Sequence, residues 1–340
     1  MVKCIKVKKT ECEPLRKKLI SQGALDLNYS LKQDGDFILL PVVRAIPGQK
    51  LVEAKLEKRK LEPHSLSQAL AGKLTEKELK QLVTSFDMIG SIAVVEIPVS
   101  LLKKEKMIAD AIMKVNRRIK TVAKKTSPMQ GKFRVRKMKV IGGKKSLETI
   151  YRESGCSFKL DVSKVYFSPR LATERERIAN QVKKGERVLA LFAGVAPFPI
   201  VIASKVPNCE IAAIELNPAA TKYAKENVKL NKFEKQIQIF TGDVRKIVPQ
   251  KFKGWADRVL MPLPKSAEQF LDIALMGAKK GATIHFYSFG NVESPFSNAR
   301  DFISQAALSS GRSVRIVNEH IVRPYAPRVV QVTVDFITLN

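Results

Sequence analysis

Apolar residues recur along this chain with two different periods, and the way strand-like and helix-like stretches succeed one another divides it into three segments. In the first, alternation over residues 4–7 predicts a strand, Leu15, Leu19 and Ile20 fall at helical spacing within 13–22, and 37–43 is a second apolar run. Together these read as a small α+β module. From about residue 54 to 64 the chain is rich in Lys and Glu, contains Pro63 and has little apolar periodicity, the signature of a linker. The second segment opens with a helix at 76–83, followed by a strand at 92–97 that Pro98 stops. Met107, Ile108, Ala111, Ile112 and Val115 then recur near every 3.6 residues, giving an amphipathic helix with a basic outer face. Strand-like patterning resumes over 133–141 and 158–162. In the third segment, short apolar runs at 188–192, 210–214, 237–240, 258–261 and 282–287 are each followed by a loop and a helical pattern, which implies a mainly parallel sheet covered on both faces. A β-branched run at 329–337 predicts an added antiparallel strand. The boundaries drawn from these patterns are 1–55 for the first domain, 56–70 for the linker, 71–164 for the second domain and 165–340 for the third.

Charge changes this picture from a generic α/β protein to one with a polyanionic partner. Lys and Arg number 61 against 32 acids, a net charge of +29. Self-repulsion of that size costs stability, and a nucleic acid offsets it by releasing counterions from each neutralised phosphate. The excess is concentrated: residues 101–140 hold fourteen Lys/Arg and only two acids, Glu105 and Asp110. A basic surface without a specific partner is the simpler alternative. No run approaches the roughly 18 apolar residues of a membrane span, and residues 1–4 lack the apolar start of a signal peptide, so a cytoplasmic protein without a membrane partner is expected. Four dispersed cysteines and three dispersed histidines, with no C-x-x-C pair, predict reduced thiols and no metal site.

Candidate chemistry lies at the ends of the third segment's strands. Phe192-Ala193-Gly194-Val195-Ala196-Pro197-Phe198 follows the first strand and opens a helix, where a small-residue turn lets a cofactor approach the backbone. The second strand ends in Glu215-Leu216-Asn217-Pro218: an acid able to accept from both ribose hydroxyls, then Asn as N-cap and Pro at the first helical position. Asp243, in Thr241-Gly242-Asp243-Val244, is placed to accept from an adenine amino group. The absence of G-x-G-x-x-G and of G-x-x-x-x-G-K-[ST] disfavours nicotinamide and P-loop nucleotides.

Three motifs then carry a resemblance. Val165-Tyr166-Phe167-Ser168-Pro169-Arg170-Leu171-Ala172-Thr173-Glu174-Arg175, the turn at Phe192-Ala193-Gly194-Val195, and Met261-Pro262-Leu263-Pro264-Lys265 look like the archaeal and eukaryotic tRNA (guanine-N1)-methyltransferases that modify guanosine 37 beside the anticodon. The resemblance covers nearly the whole chain. It implies an α/β fold: a Rossmann-type class I methyltransferase domain with a mainly parallel seven-stranded sheet, preceded by two smaller α+β domains. The first of these is similar to the family's tRNA-elbow domain and the second to its tRNA-binding domain. It also implies S-adenosylmethionine as cofactor, held around Arg175, Phe192, Ala193, Gly194, Glu215, Asn217, Asp243, Val244 and Pro262. By position, Glu174 is the general base and Arg134 the group that stabilises O6, with Arg136 the less favoured choice. Tyr166, Ser168, Pro169, Arg170, Arg136 and Pro264 fall at substrate-binding positions. A monomer is expected.

Simpler roles stand beside these. Glu174, among Arg170, Arg175 and Arg177, fits a salt-bridged helix face, Arg134 fits a phosphate contact, and Tyr166 fits core filling. Three positions also depart from the family: Ala190 replaces an acid, Ala196 a glycine and Pro262 an asparagine. The Pro262 change removes a donor, and Ala196 adds a methyl group where close approach of a cofactor is expected. Two alternatives therefore remain open beside N1-methylation of guanosine: methyl or aminocarboxypropyl transfer to a wyosine-type base, and a tRNA-binding protein without catalysis.

Overall fold

The computed structural model describes residues 1–59, 63–128 and 131–340. The chain forms two compact units, Met1–Gln68 and Ala69–Asn340. The first unit is built from β1 (Val2–Lys8), α1 (Lys9–Ser21), β2 (Lys32–Asp34), β3 (Phe37–Pro41) and β4 (Leu51–Ala54), in a four-stranded sheet of order β2-β3-β1-β4. Ile5, Val7, Leu19, Leu40 and Val42 make its core, so the alternation and helical spacing seen in the sequence both point inward. The expected linker at 56–70 begins as chain bridged to the unit at Lys58 and continues beyond residue 62 into α2 (Leu66–Leu70); residues 60–62 lie outside the described residues.

The second unit begins with α3 (Glu76–Gln81), β5 (Asp87–Ile89), β6 (Ile92–Val95), α4 (Glu105–Val115), β7 (Thr121–Lys125) and β8 (Met138–Gly143). Their four strands run in sequence order, with β6 and β7 parallel. The crossover between them is α4, which buries Ile108, Ala109, Ala111 and Ile112 and leaves Lys106 and Lys114 in solvent, as its periodicity predicts. Gly143 (φ 78°) turns within 2.1 Å of the Lys120 carbonyl, measured from where a Cβ would stand, so no larger residue fits there. The strand expected over 133–141 starts later: Arg134 has φ 50°, a left-handed conformation that no strand continues through, and residues 131–137 form a loop.

A hairpin follows, β9 (Glu148–Glu153) and β10 (Cys156–Asp161), turning on Ser154 and Gly155, both at positive φ. Then come α5 (Ala172–Ala179), β11 (Arg187–Leu191), α6 (Pro197–Lys205), β12 (Glu210–Glu215), α7 (Pro218–Leu230), β13 (Ile237–Thr241), α8 (Val244–Lys251), β14 (Ala256–Met261), α9 (Leu271–Gly277), β15 (Ala278–Asn291), α10 (Ser297–Ser309), β16 (Val314–Ala326) and β17 (Val329–Thr338). The seven-stranded sheet has the order β13-β12-β11-β14-β15-β17-β16, in which β17 alone runs antiparallel to the rest. Val188, Leu189, Ala190 and Leu191 are buried on both faces of β11, which is why that strand reads as a continuous apolar run. The chain order reverses between β11 and β14, which places the topological switch point, and the crevice that accompanies it, at their carboxyl ends.

The expected boundary at 164/165 does not interrupt the core. Ile89, Ile92, Val94 and Ala123 share one apolar cluster with Phe158, Val188 and Phe198. The free edge of β10 is also taken up: Asn227 in the last turn of α7 and Asn231, its C-cap, each accept from and donate to its backbone at Lys159 and Ser157. Two asparagines thereby do what a neighbouring strand would do, satisfying a buried edge.

Candidate active site

The run from Val165 to Arg170 leaves β10 and crosses above the strand ends, with its side chains sorted by burial. Phe167 turns inward, its ring 5.0 Å from Tyr151 and 5.3 Å from the Arg175 guanidinium. Tyr166, Ser168 and Arg170 face a cleft of about 390 Å³ whose other walls include Arg134, Arg136, Asp87 and Glu96. Arg170 is oriented by Asp87 (Nε to Oδ1, 2.7 Å). Arg134 differs: among the described residues its guanidinium makes no hydrogen bond or ion pair, and burial lowers its pKa while the nearby Tyr166, Tyr325 and Glu268 act in the opposite direction. A half-desolvated, unpaired cation on a left-handed loop residue is poorly placed for stability and well placed to meet an anion. Arg323 and Tyr325, on β16, close the same cleft; no sequence motif marked them.

At the strand ends, Phe192 (φ 57°), Gly194 (φ 57°) and Ala196 (φ 65°) give the turn its shape. A Cβ on Gly194 would meet only the Tyr166 carbonyl, at 3.9 Å, so the cleft and the turn adjoin through Tyr166. The Gly194 N–H donates to Glu215 Oε2 and the Asn217 N–H to Glu215 Oε1, both at 2.8 Å. Burial pushes the Glu215 carboxyl up, and the backbone N–H donors of Asn217, Gly194 and Leu216 only partly offset it. These three donors leave the carboxylate a free lone pair, which fits a ribose hydroxyl. Asp243 caps α8 by accepting from the Arg245 N–H (2.9 Å) through Oδ1. Phe192 packs edge-on against Phe270 at 4.9 Å, and Arg245 lies 4.0 Å over the same Phe270 ring. The carboxylates and the open turn thus fit a nucleoside with its ribose at Glu215.

Other expected cofactor residues have structural work here. Asn217 is buried, caps α7 through Ala219 and donates to the Lys164 carbonyl, which ties the incoming segment to the sheet. Val244 packs into the core. Arg175 is buried and forms a two-pronged pair with Glu153 while donating to the Ser168 carbonyl. The Ala196 methyl is fully buried, so its difference from glycine is a matter of backbone strain, not of closeness to a cofactor. Ala190 likewise packs inside the sheet. At Pro262 the chain turns tightly, Leu263 N–H donating to the Met261 carbonyl at 2.7 Å, and Pro262, Pro264 and Pro169 lie off the cleft lining.

Glu174 is also off the lining and 3% exposed. Arg177 grips both its oxygens (2.8 and 2.9 Å), Tyr287 donates to Oε1 (2.5 Å), and His320 Nε2 stands 3.7 Å from Oε2 on the solvent side. The contacts continue inward: Arg177 to Asp335, Asp335 to His285 Nδ1 (2.6 Å), His285 Nε2 to Arg258 (2.7 Å), and Arg258 to Glu186. Burial alone would raise the Asp335 carboxyl, but His285 and Arg177 hold it far below the usual range. Burial keeps His285 neutral, so its Nδ1–H donates to Asp335 and its Nε2 accepts from Arg258. Burial, with the Glu174 charge beside it, pushes the Tyr287 hydroxyl well up, fixing it as a donor.

Comparison with known proteins agrees with this layout. Residues 149–316 match the TRM5/TYW2 methyltransferase domain, 66–146 the TYW2 N-terminal domain and 4–50 the tRNA methyltransferase 5 N-terminal domain. The chain is 41% identical over 337 residues to the tRNA (guanine(37)-N(1))-methyltransferase Trm5b of Pyrococcus abyssi, covering 99% of each. It is 35% identical over 297 residues, 72% of this chain and 98% of the relative, to the tRNA (guanine(37)-N(1))/4-demethylwyosine(37)-methyltransferase Taw22 of Nanoarchaeum equitans. A solved complex of aTrm5 with tRNALeu superposes with a TM-score of 0.87 at 31% identity, covering 99% of each chain. With its domain matches in order and its relatives matched end to end, this chain belongs to the TRM5/TYW2 methyltransferase family.

Proposed function

We propose that the protein transfers a methyl group from S-adenosylmethionine to N1 of guanosine 37 in tRNA. The observation that carries this is the adjacency, through Tyr166, of an arginine-lined cleft to a turn with a half-buried acceptor at Glu215. The full-length match to a guanine-37 methyltransferase supports it. S-adenosylmethionine supplies the electrophilic methyl when bound. The chain's residues then have three tasks. Gly194, Glu215 and Asp243 hold the nucleoside. Arg134 meets the charge that develops on O6 as N1 loses its proton, an electrostatic contribution of about 2.7–4 kcal/mol for a single well-placed donor. Glu174 takes that proton, which requires its carboxylate to exchange one of its present partners, Tyr287 or Arg177, for the base. The remainder of the reading is a cytoplasmic monomer that takes the anticodon loop in the cleft and the tRNA elbow with its first unit.

The test is nucleoside mass spectrometry of tRNA transcripts after incubation with labelled S-adenosylmethionine. Label in 1-methylguanosine from a transcript with guanosine 37, and none from one with adenosine there, is the expected result. An unlabelled guanosine-37 transcript, under conditions where the cofactor binds, excludes it. Affinity for tRNA should fall steeply with salt as phosphates are released. Pro262, where the family has a side-chain donor, and the match to a dual-substrate relative favour transfer to a wyosine-type base as the second reading. The mass of the product nucleoside separates the two.

A further inference from the structure

Three adjacent strands place a row of side chains at the cleft rim that the reaction described above does not use. Phe289 on β15 pairs in register with Gln331 on β17, and Gln331 with Arg323 on β16. The Gln331 amide oxygen accepts from Arg323 Nε at 2.9 Å, which fixes the guanidinium. Two residues on, the Tyr325 ring lies 4.2 Å from the Phe289 ring at an interplanar angle of 37°, with the Arg323 guanidinium 5.8 Å from its centroid. Tyr325 is nonetheless 56% exposed. Register shifts in the β16–β17 pairing fall on both sides of this segment, between Ile321 and Arg323 and between Pro324 and Ala326. Bulges of this kind re-aim side chains at the edges of sheets, here toward the cleft.

An exposed tyrosine supported from beneath by a second ring, beside a fixed arginine in a basic cleft, has the attributes of a base-stacking surface: a flat apolar face, a cation and a positive field. The cleft has a second exposed tyrosine, Tyr166, on the wall that adjoins the glycine turn, with Arg134 near both phenols. Of the two, Tyr166 is the one whose carbonyl lies beside Gly194. We propose that Tyr325, backed by Phe289 and flanked by Arg323, is a stacking seat for the unpaired nucleobase next to the one that reacts. It rests on the reading of the cleft as the tRNA-modifying site. The seat's task is to hold the loop open by giving the neighbouring base a substitute for its lost stacking partner, so it governs substrate affinity and not the chemical step.

The experiment uses the full chain and tRNA transcripts, intact or carrying an abasic site at the nucleotide 3′ or 5′ of guanosine 37. Tyr325→Ala should raise KM for intact tRNA about tenfold, the loss typical of one base–aromatic stack, with kcat changed less than twofold. Tyr325→Phe should stay within twofold of the parent, since it keeps the ring. On one of the two abasic transcripts the Ala penalty should disappear. A parallel titration of an anticodon stem-loop with 2-aminopurine at that nucleotide should show quenching by the parent and the Phe variant and none by the Ala variant. An Ala variant within twofold in KM, an undiminished penalty on both abasic transcripts, or a fall in kcat with KM unchanged would overturn the proposal. If the parent binds the stem-loop with quenching but methylates no transcript, the reading of the reaction fails while the stacking seat stands.

Discussion

Arg134 and Arg177 belong to the same compact unit and carry the same guanidinium, yet their surroundings are opposite. Arg177 lies between the carboxylates of Glu174 and Asp335, within a chain of contacts that runs to His285, Arg258 and Glu186. Arg134 sits on a strained loop, part-buried, without an ion pair among the described residues. The difference teaches how to read a basic protein. A buried charge is tolerable only when paired, so Arg175, Arg177 and Arg258 belong to the fold. A desolvated charge left unpaired is waiting for an external partner, and 61 cations alone would not have told one kind from the other.

Glu174 is where the comparison is sharpest, because it sits in the paired cluster and is the proposed general base. Glu174→Gln should lower kcat about 10²–10⁴-fold, the usual contribution of a general base, with little change in tRNA affinity measured by filter binding. If instead Tm falls by many degrees while kcat of the folded protein holds, Glu174 belongs wholly to the structural side. Next in size is Asp335→Asn. Breaking a buried pair costs about 3–5 kcal/mol, to be read from urea unfolding at neutral pH, with kcat of the folded fraction close to the parent's.

The same variant tests the pH behaviour. The folded-state pKa values of Asp335 and His285 are both lowered, so each contributes stability that is complete above its unfolded value, about 3.9 and about 6.5, and is lost as pH falls through the folded one. Stability should therefore decline on acidification from about pH 6.5, and more steeply below about pH 4. Asp335→Asn should remove the steeper part; an unchanged acid limb would show that Asp335 is not what the acid titrates. Arg134→Ala should reduce kcat/KM about 10²–10³-fold and leave Tm unchanged or slightly raised, because an unpaired part-buried charge is gone. A fall in Tm would move Arg134 to the structural side. The smallest effect is expected for Ala196→Gly. Relief of a left-handed alanine, about 1–2 kcal/mol, is set against loss of a buried methyl, about 0.8 kcal/mol. Stability should change by less than roughly 1 kcal/mol, with the KM for S-adenosylmethionine unmoved, and a severalfold shift in that KM would show that the turn's shape matters to the cofactor after all.

The sequence by itself determined the alternation of strands and helices from β11 to β15, because runs buried on both faces, such as β11 and β12, and one-sided helices, such as α7, leave a periodic record. It also singled out Glu215 and Asp243, carboxylates that follow their strands directly. β16 left no such record. It is an edge strand with Pro324 inside it and three register shifts, so its apolar alternation is broken. Loop geometry was equally silent: nothing local foretells that Arg134 turns left-handed and stays unpaired. Which arginines are paired, that Glu174 is enclosed by Tyr287 and Arg177, and that Arg323 and Tyr325 reach the cleft were decided by tertiary structure. Apart from the Arg177–Glu174 pair, three residues apart on one helix, these depend on partners distant in sequence, 22 positions for Arg175 and Glu153, 113 for Glu174 and Tyr287 and 158 for Arg177 and Asp335, or on a bulge that redirects a side chain, and neither leaves a local signature.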